Sequence, residues 1–201
     1  MLKHLANGIS AGILISLGCA AYLSCDNKYA GAALFSLALM CICMLGYNLY
    51  TGKICYMVED HGKEALSRLL LGLLGNLIGT LVFGIILRYS IPSLVDASLL
   101  ICRNKLNESF FSALARGFMC GILIYLSVDI YRKYKRVIGI LIMIPAFILS
   151  GFEHSIANMC YFTVSGIVSF EAFVYIWIII LGNTLGGIII PLLQRIGGNN
   201  D

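Results

Sequence analysis

The residues able to do chemistry are few, and two of them stand side by side. Glu153 and His154 lie in the run Ser150-Gly151-Phe152-Glu153-His154-Ser155-Ile156-Ala157-Asn158, with apolar sequence on either side. A charge at the centre of a membrane-spanning helix costs about 2.5–3.5 kcal/mol on insertion scales, so residues kept there usually have a function. Histidine can exchange a proton near neutral pH, its unperturbed pKa being about 6.5. A second polar run, Gly46-Tyr47-Asn48-Leu49-Tyr50-Thr51-Gly52-Lys53, interrupts another apolar stretch. Thr51 shifted by 107 positions is Asn158, which places the two runs at corresponding sites.

Such residues need surroundings that keep water out, and the composition supplies them. Of 201 residues, 60% are hydrophobic and 12% charged, with a mean hydropathy of +0.92, whereas a soluble domain has about a quarter of its residues charged. The chain therefore reads as an all-α integral membrane protein embedded in a lipid bilayer. Its net charge of +4 is spread over 14 basic residues without a dense basic tract, which excludes nucleic acid as a partner. The eight cysteines lie mostly inside apolar runs, without metal-site or disulfide spacing, and read as reduced packing residues.

Runs of spanning length, about 20 residues each, fall near 5–24, 29–47, 69–89, 111–131, 137–150 continued by 156–168, and 171–194, with polar breaks between them. The expectation is six crossings in a single transmembrane domain over 1–201. No small-residue cleavage site closes the first run, so it is expected to stay as a helix. Lys3, Lys63, Arg68, Arg132, Lys133, Lys135, Arg136 and Arg195 fall on one side, against Lys28, Arg88, Arg103 and Lys105 on the other. Positive-inside counting then puts both termini in the cytoplasm of a multi-pass protein of the cell (plasma or inner) membrane.

Two internal repeats support a two-part design. Ala6-Asn7-Gly8-Ile9-Ser10-Ala11-Gly12 recurs 109 positions on as Ala115-Arg116-Gly117-Phe118-Met119-Cys120-Gly121, and Gly75-Asn76-Leu77-Ile78-Gly79 recurs 107 positions on as Gly182-Asn183-Thr184-Leu185-Gly186. Repeat one spans about 5–89 and repeat two about 111–194; three crossings in each force opposite orientations. Inverted repeats with a broken helix at matching places point to a permeation path, and half-helix N-termini favour an anion there. The competing reading is an intramembrane enzyme using Glu153 and His154 as metal ligands or as acid and base. The other histidines, His4 and His61, lie outside the apolar runs, and a hydrolytic metal site normally needs three protein ligands. A scaffold does not account for two matching polar breaks. No cofactor and no metal are implied.

The run from Ser150 to Met159 resembles the signature loop of the formate/nitrite transporter family, and Asn48-Leu49-Tyr50-Thr51-Gly52 resembles its partner loop in the second helix. The Gly-Asn-x-x-Gly patterns at Gly75 and Gly182 are also similar to that family, so the resemblance covers nearly the whole chain. It implies a homopentamer of six-helix protomers, each aquaporin-like and with its own pore, carrying small anions and protons. By the same resemblance His154 is the central pore histidine and Thr51 the threonine facing it. Lys105 is the vestibule lysine, and Asn158 and Glu153 tie it to the histidine loop. Phe35 and Phe147 form the outer constriction; Leu39, Leu49, Tyr50 and Ile124 form the inner one. Gly121 stands where many members have asparagine, which suggests either a roomier chamber or closer helix packing. The implied activity is proton-linked passage of a weak-acid anion, with formate leading and nitrite, hydrosulfide, acetate and lactate as alternatives.

Overall fold

Each long apolar run folds into a helix whose start is set by a cap or a polar break. The computed structural model describes residues 1–198, so the last three residues of the polar tail, and with them the end of the expected 1–201 domain, lie outside the described residues. Helix α1 spans Leu2–Leu23 and α2 Lys28–Leu45, the latter opened by Asn27, whose side chain accepts from the Tyr29 and Ala30 N–H groups. A one-turn helix, α3 (Tyr50–Lys53), runs into a 3-10 turn over Ile54–Val58. Then come α4 (Lys63–Ser90), α5 (Ser93–Leu106), α6 (Phe110–Tyr134), α7 (Ile138–Leu149), α8 (Ser155–Ser165) and α9 (Phe170–Ile196). Helices α1, α2, α4, α6 and α9 are long and apolar enough to cross a membrane, and α7 is a shorter apolar helix. The chain is all-helical, with a break after α2 and another after α7.

Helix α5 is the element the polar break over 88–105 concealed. It is too short and too charged to read as a span. Yet Leu94, Ser98 and Cys102, four residues apart, make one buried face that packs on α8, and the last turn of the same helix carries Arg103 and Lys105.

Two glycine-lined contacts hold the bundle together. Helix α1 packs on α4 and α6 on α9, with Gly8, Gly12, Gly75 and Gly79 in the first contact and Gly117, Gly121, Gly182 and Gly186 in the second. The approach is too close for side chains: a Cβ on Gly75 would meet the Gly8 Cα at 2.8 Å. Gly121 belongs to this stripe. A Cβ there would come 2.8 Å from the Gly187 nitrogen and against the Asn183 carbonyl, so its missing side chain faces the α9 backbone. Of the two suggestions made for Gly121, the geometry selects close packing. Between the two pairs, α2 packs on α7 and α4 on α8, leaving both breaks in the interior.

Candidate functional site

Both breaks are built the same way. After α2 the chain turns at Gly46 with φ 73°, and after α7 at Gly151 with φ 71°, left-handed values that suit glycine. It then runs extended into a new helix start, at Leu49 and at His154. Buried backbone there needs partners, and one asparagine supplies them at each break. Asn76 Oδ1 accepts from the Tyr50 N–H at 2.9 Å, while its Nδ2 donates to the Gly8 and Asn48 carbonyls, both at 2.8 Å. Asn183 Oδ1 accepts from the Ser155 N–H at 2.8 Å, while its Nδ2 donates to the Gly117 carbonyl at 2.9 Å and to the Glu153 carbonyl at 2.8 Å. Tyr50 thus matches Ser155, and Thr51 matches Ile156 rather than Asn158. The spacing misled by two residues because the clamping asparagine follows 26 residues after Tyr50 but 28 after Ser155.

His154 caps α8 with its own ring. Nδ1 accepts from the Ala157 N–H at 3.2 Å, and a backbone N–H can only donate. The proton of the neutral ring therefore sits on Nε2, which donates to Thr51 Oγ1 at 2.8 Å. With its oxygen accepting from histidine, Thr51 keeps its hydroxyl hydrogen free for another acceptor. Thr51 is 0% and His154 3% exposed.

Glu153 is bound from two sides. Its Oε2 accepts from the Lys105 ammonium and from Asn158 Nδ2, the latter at 2.9 Å. Lys105, in the last turn of α5, is thereby joined to the break before α8. Beside them Glu108 pairs with Arg116 at 2.9 Å, and Arg116 also reaches the Gly151 carbonyl at 3.5 Å. Burial raises the Glu108 carboxyl above the usual glutamate value and the charge of Glu153 adds to this, while Arg116 and Lys105 oppose it.

One cavity reaches His154, and a second reaches Gly52, the residue after Thr51. The one on the Lys105 side has a volume of about 150 Å³ and is lined by Phe35, Phe147, Lys105, Glu153, His154 and Asn158. The Phe35 and Phe147 rings meet edge to face at 6.2 Å, and Phe147 lies 5.9 Å from the His154 ring. The cavity on the side of the chain N-terminus has a volume of about 370 Å³, and its walls include Leu39, Leu49, Gly52 and Val128. Two of the residues expected at the inner constriction line neither of these two cavities. Ile124 is buried in the core and borders neither cavity. Tyr50 borders a third cavity together with His4 and Asn48, its hydroxyl on Thr184 Oγ1 at 2.8 Å. The clamps Asn76 and Asn183 and the Glu108–Arg116 pair were not foreseen. For the clamps a signal existed: an asparagine inside an apolar helix, flanked by glycines, at the offset of the repeat.

The family model for the formate/nitrite transporter matches residues 1–195. This chain belongs to the formate/nitrite transporter family. Among curated relatives it is 26% identical over 188 residues to the uncharacterized transporter YwcJ of Bacillus subtilis, covering 82% of this chain and 73% of that one. It is 28% identical over 178 residues to the formate channel FocA of Haemophilus influenzae, covering 76% of this chain and 63% of the relative. The matched region thus spans a little under two thirds of that formate channel. The fold agrees with a solved pentameric formate channel with formate bound, at a TM-score of 0.83 and 24% identity, over 100% of this chain and 98% of the other. An ion channel of the formate/nitrite transporter family superposes at 0.79 with 22% identity, over 98% and 88%. The family and its structural neighbours are channels and transporters, not enzymes, which retires the intramembrane-enzyme reading.

Proposed function

We propose that this family member passes small monovalent weak-acid anions, formate foremost, through a proton-linked pore in each protomer of a homopentamer. The protomer is a six-crossing, aquaporin-like pair of inverted repeats in the cell (plasma or inner) membrane, both termini cytoplasmic. The relatives named formate channels support this reading, and so do the two alike, asparagine-clamped breaks. The observation that carries it is the buried His154–Thr51 pair between two cavities, with a hydroxyl hydrogen left to donate.

Lys105 and the cavity beside it collect the anion, which passes Phe35 and Phe147 to meet the Thr51 hydroxyl. Apolar surroundings there penalise an unpaired charge and favour the neutral acid. To donate a proton, His154 must first carry two, and the second can only sit on Nδ1. Loading it displaces the Ala157 N–H, and loss of a helix cap costs about 1 kcal/mol. Proton exchange is thus coupled to release of the first turn of α8. Leu39 and Leu49 border the exit on the other side, where the acid ionises again.

Gly121, facing α9, adds no chamber volume that would favour acetate or lactate. The test is pH-dependent flux in proteoliposomes with formate, nitrite, hydrosulfide and acetate offered separately. Formate is expected to move faster in acid, Thr51→Val to slow it about tenfold for one lost hydrogen bond, and His154→Phe to abolish the pH dependence. A His154→Phe protein with undiminished pH-dependent formate flux would remove the mechanism.

A further inference from the structure

Four charges meet beside the cavity on the Lys105 side, and the passage mechanism above uses only some of them. Lys105 and Arg116 are the cations, Glu108 and Glu153 the carboxylates, so with all four ionised the cluster is neutral. They come from different elements: Lys105 from α5, Glu108 from the turn after it, Arg116 from α6 and Glu153 from the second break. Helix α9 adds Tyr175, which is 5% exposed and faces Glu153, with Glu108 and Arg116 close enough to act on it as well.

The two carboxylates are not equally served. Glu153 takes both Lys105 and Asn158 on one oxygen. Glu108 accepts from Arg116 on Oε1 at 2.9 Å, but its Oε2 is buried and has no partner among the described residues. The buried Tyr175 hydroxyl has none either. An ionised carboxylate can only accept, so an orphaned buried oxygen penalises that form; once protonated, the same oxygen donates, and a hydroxyl oxygen can receive it. Arg116 is divided as well. The nitrogen that serves Glu108 also reaches the Gly151 carbonyl, at a long 3.5 Å, and Gly151 is the φ 71° turn of the second break. Its side chain is 42% exposed against 15% for Glu108, so a proton reaches the pair from solvent on this side without entering the passage.

We propose that Glu108 is a proton-operated switch at the Lys105-side mouth. Ionised, it holds Arg116 and keeps the four-charge cluster neutral. Protonated, it frees Arg116 for the Gly151 carbonyl and leaves the cluster with one net positive charge. The switch rests on the passage reading for what that charge gathers, a small monovalent anion. Its proton differs from the one exchanged at His154: it stays on the protein and changes how much anion is gathered, not how the anion crosses. Burial and Glu153, which raise the Glu108 carboxyl, bring the change above the ordinary glutamate range.

Ile101 lines the cavity one turn before Lys105 and carries the reporter, as Ile101→Cys. The measurement is the modification rate of that thiol, in detergent-solubilised protein, by the anionic sulfonatoethyl and the cationic trimethylammonioethyl methanethiosulfonates. The protein with Ile101 intact is the blank for the native thiols, and the ratio of the two rates cancels the ionisation of the thiol itself. The anionic-to-cationic ratio is expected to rise about threefold as pH falls from about 7 to about 4.5. Glu108→Gln is expected to show the raised ratio already at the higher pH and to lose most of the rise, while Glu108→Asp, which can still ionise, keeps a rise. Arg116→Gln, read separately in case Glu108→Gln does not fold, is expected to move the rise to higher pH, because Arg116 opposes protonation of Glu108. A rise that survives in full in Glu108→Gln, or one that Arg116→Gln leaves in place, overturns the switch. Formate flux in vesicles from the same preparation separates the two readings. A ratio that follows Glu108 in a protein carrying no formate leaves the switch standing and retires the passage reading, and flux with a ratio blind to Glu108 retires the switch alone.

Discussion

Ala157 has a single N–H, and its contact with His154 Nδ1 decides where the imidazole proton resides and, through it, what Thr51 can offer a ligand. Chemistry at this site is thus set by a backbone group that carries no chemistry itself. Glu108 shows the same dependence on surroundings. Its carboxyl is raised by burial and by Glu153, so the folded protein binds its proton at a higher pH than the unfolded chain does. A raised carboxyl means that the native state holds more protons between the ordinary value, about 4.3, and the raised one. Stability from this group is complete below that window and is lost as pH rises through it. The wild-type melting temperature minus that of Glu108→Gln is therefore expected to increase as pH falls from 7 toward about 4.5; a flat difference would contradict the raised carboxyl. His154, Glu153 and Thr51 were legible in the sequence because polar residues inside apolar runs are conspicuous. Glu108 was not singled out: it lies in a polar break, and only the fold brings its side chain to Arg116 and Glu153.

At the scale of elements, the clamping asparagines decide whether the breaks exist. Replacing Asn76 by leucine leaves the Tyr50 N–H and the Asn48 carbonyl without that partner, the Gly8 carbonyl keeping its place in α1, and each buried unsatisfied group costs about 1–3 kcal/mol. Asn76→Leu and Asn183→Leu are each expected to destabilise by about 3 kcal/mol or more, read as a loss of thermal stability in detergent. A loss under about 1 kcal/mol for either would show that the breaks are held by something else. The breaks could be located from sequence because glycine and polar residues interrupt apolar runs. Their register could not, since two extra residues between Ser155 and Asn183 shift the second copy against the first. Helix α5 was hidden for a different reason: fourteen residues with three buried positions carry too weak a pattern to compete with flanking spans of more than 20.

The protomer as a whole turns a large apolar surface outward. On α4 alone Leu66, Leu70, Leu74, Leu77, Leu81 and Ile85 are exposed at helical spacing, and Phe173, Trp177, Leu181 and Leu185 do the same on α9. A soluble monomer does not leave such stripes open; acyl chains cover them and, in the proposed pentamer, neighbouring protomers do so too. Native mass spectrometry from mild detergent is expected to find five copies, and a monomer with full transport would refute the assembly. The composition made the membrane legible at once. The partition of these faces between lipid and protomer was not, because both partners present the same kind of surface to a leucine.

The asparagine clamps also impose an order in time. Each break precedes, in the chain, the side chain that completes it: Asn76 lies 26 residues after Tyr50, and Asn183 lies 28 after Ser155. At about 5–20 residues per second of synthesis, each break waits on the order of a few seconds for its clamp. The second cannot close before α9 has emerged from the ribosome. A half-made chain that ends before Asn183 therefore carries its second break with the Ser155 N–H and the Glu153 carbonyl still waiting for their partner.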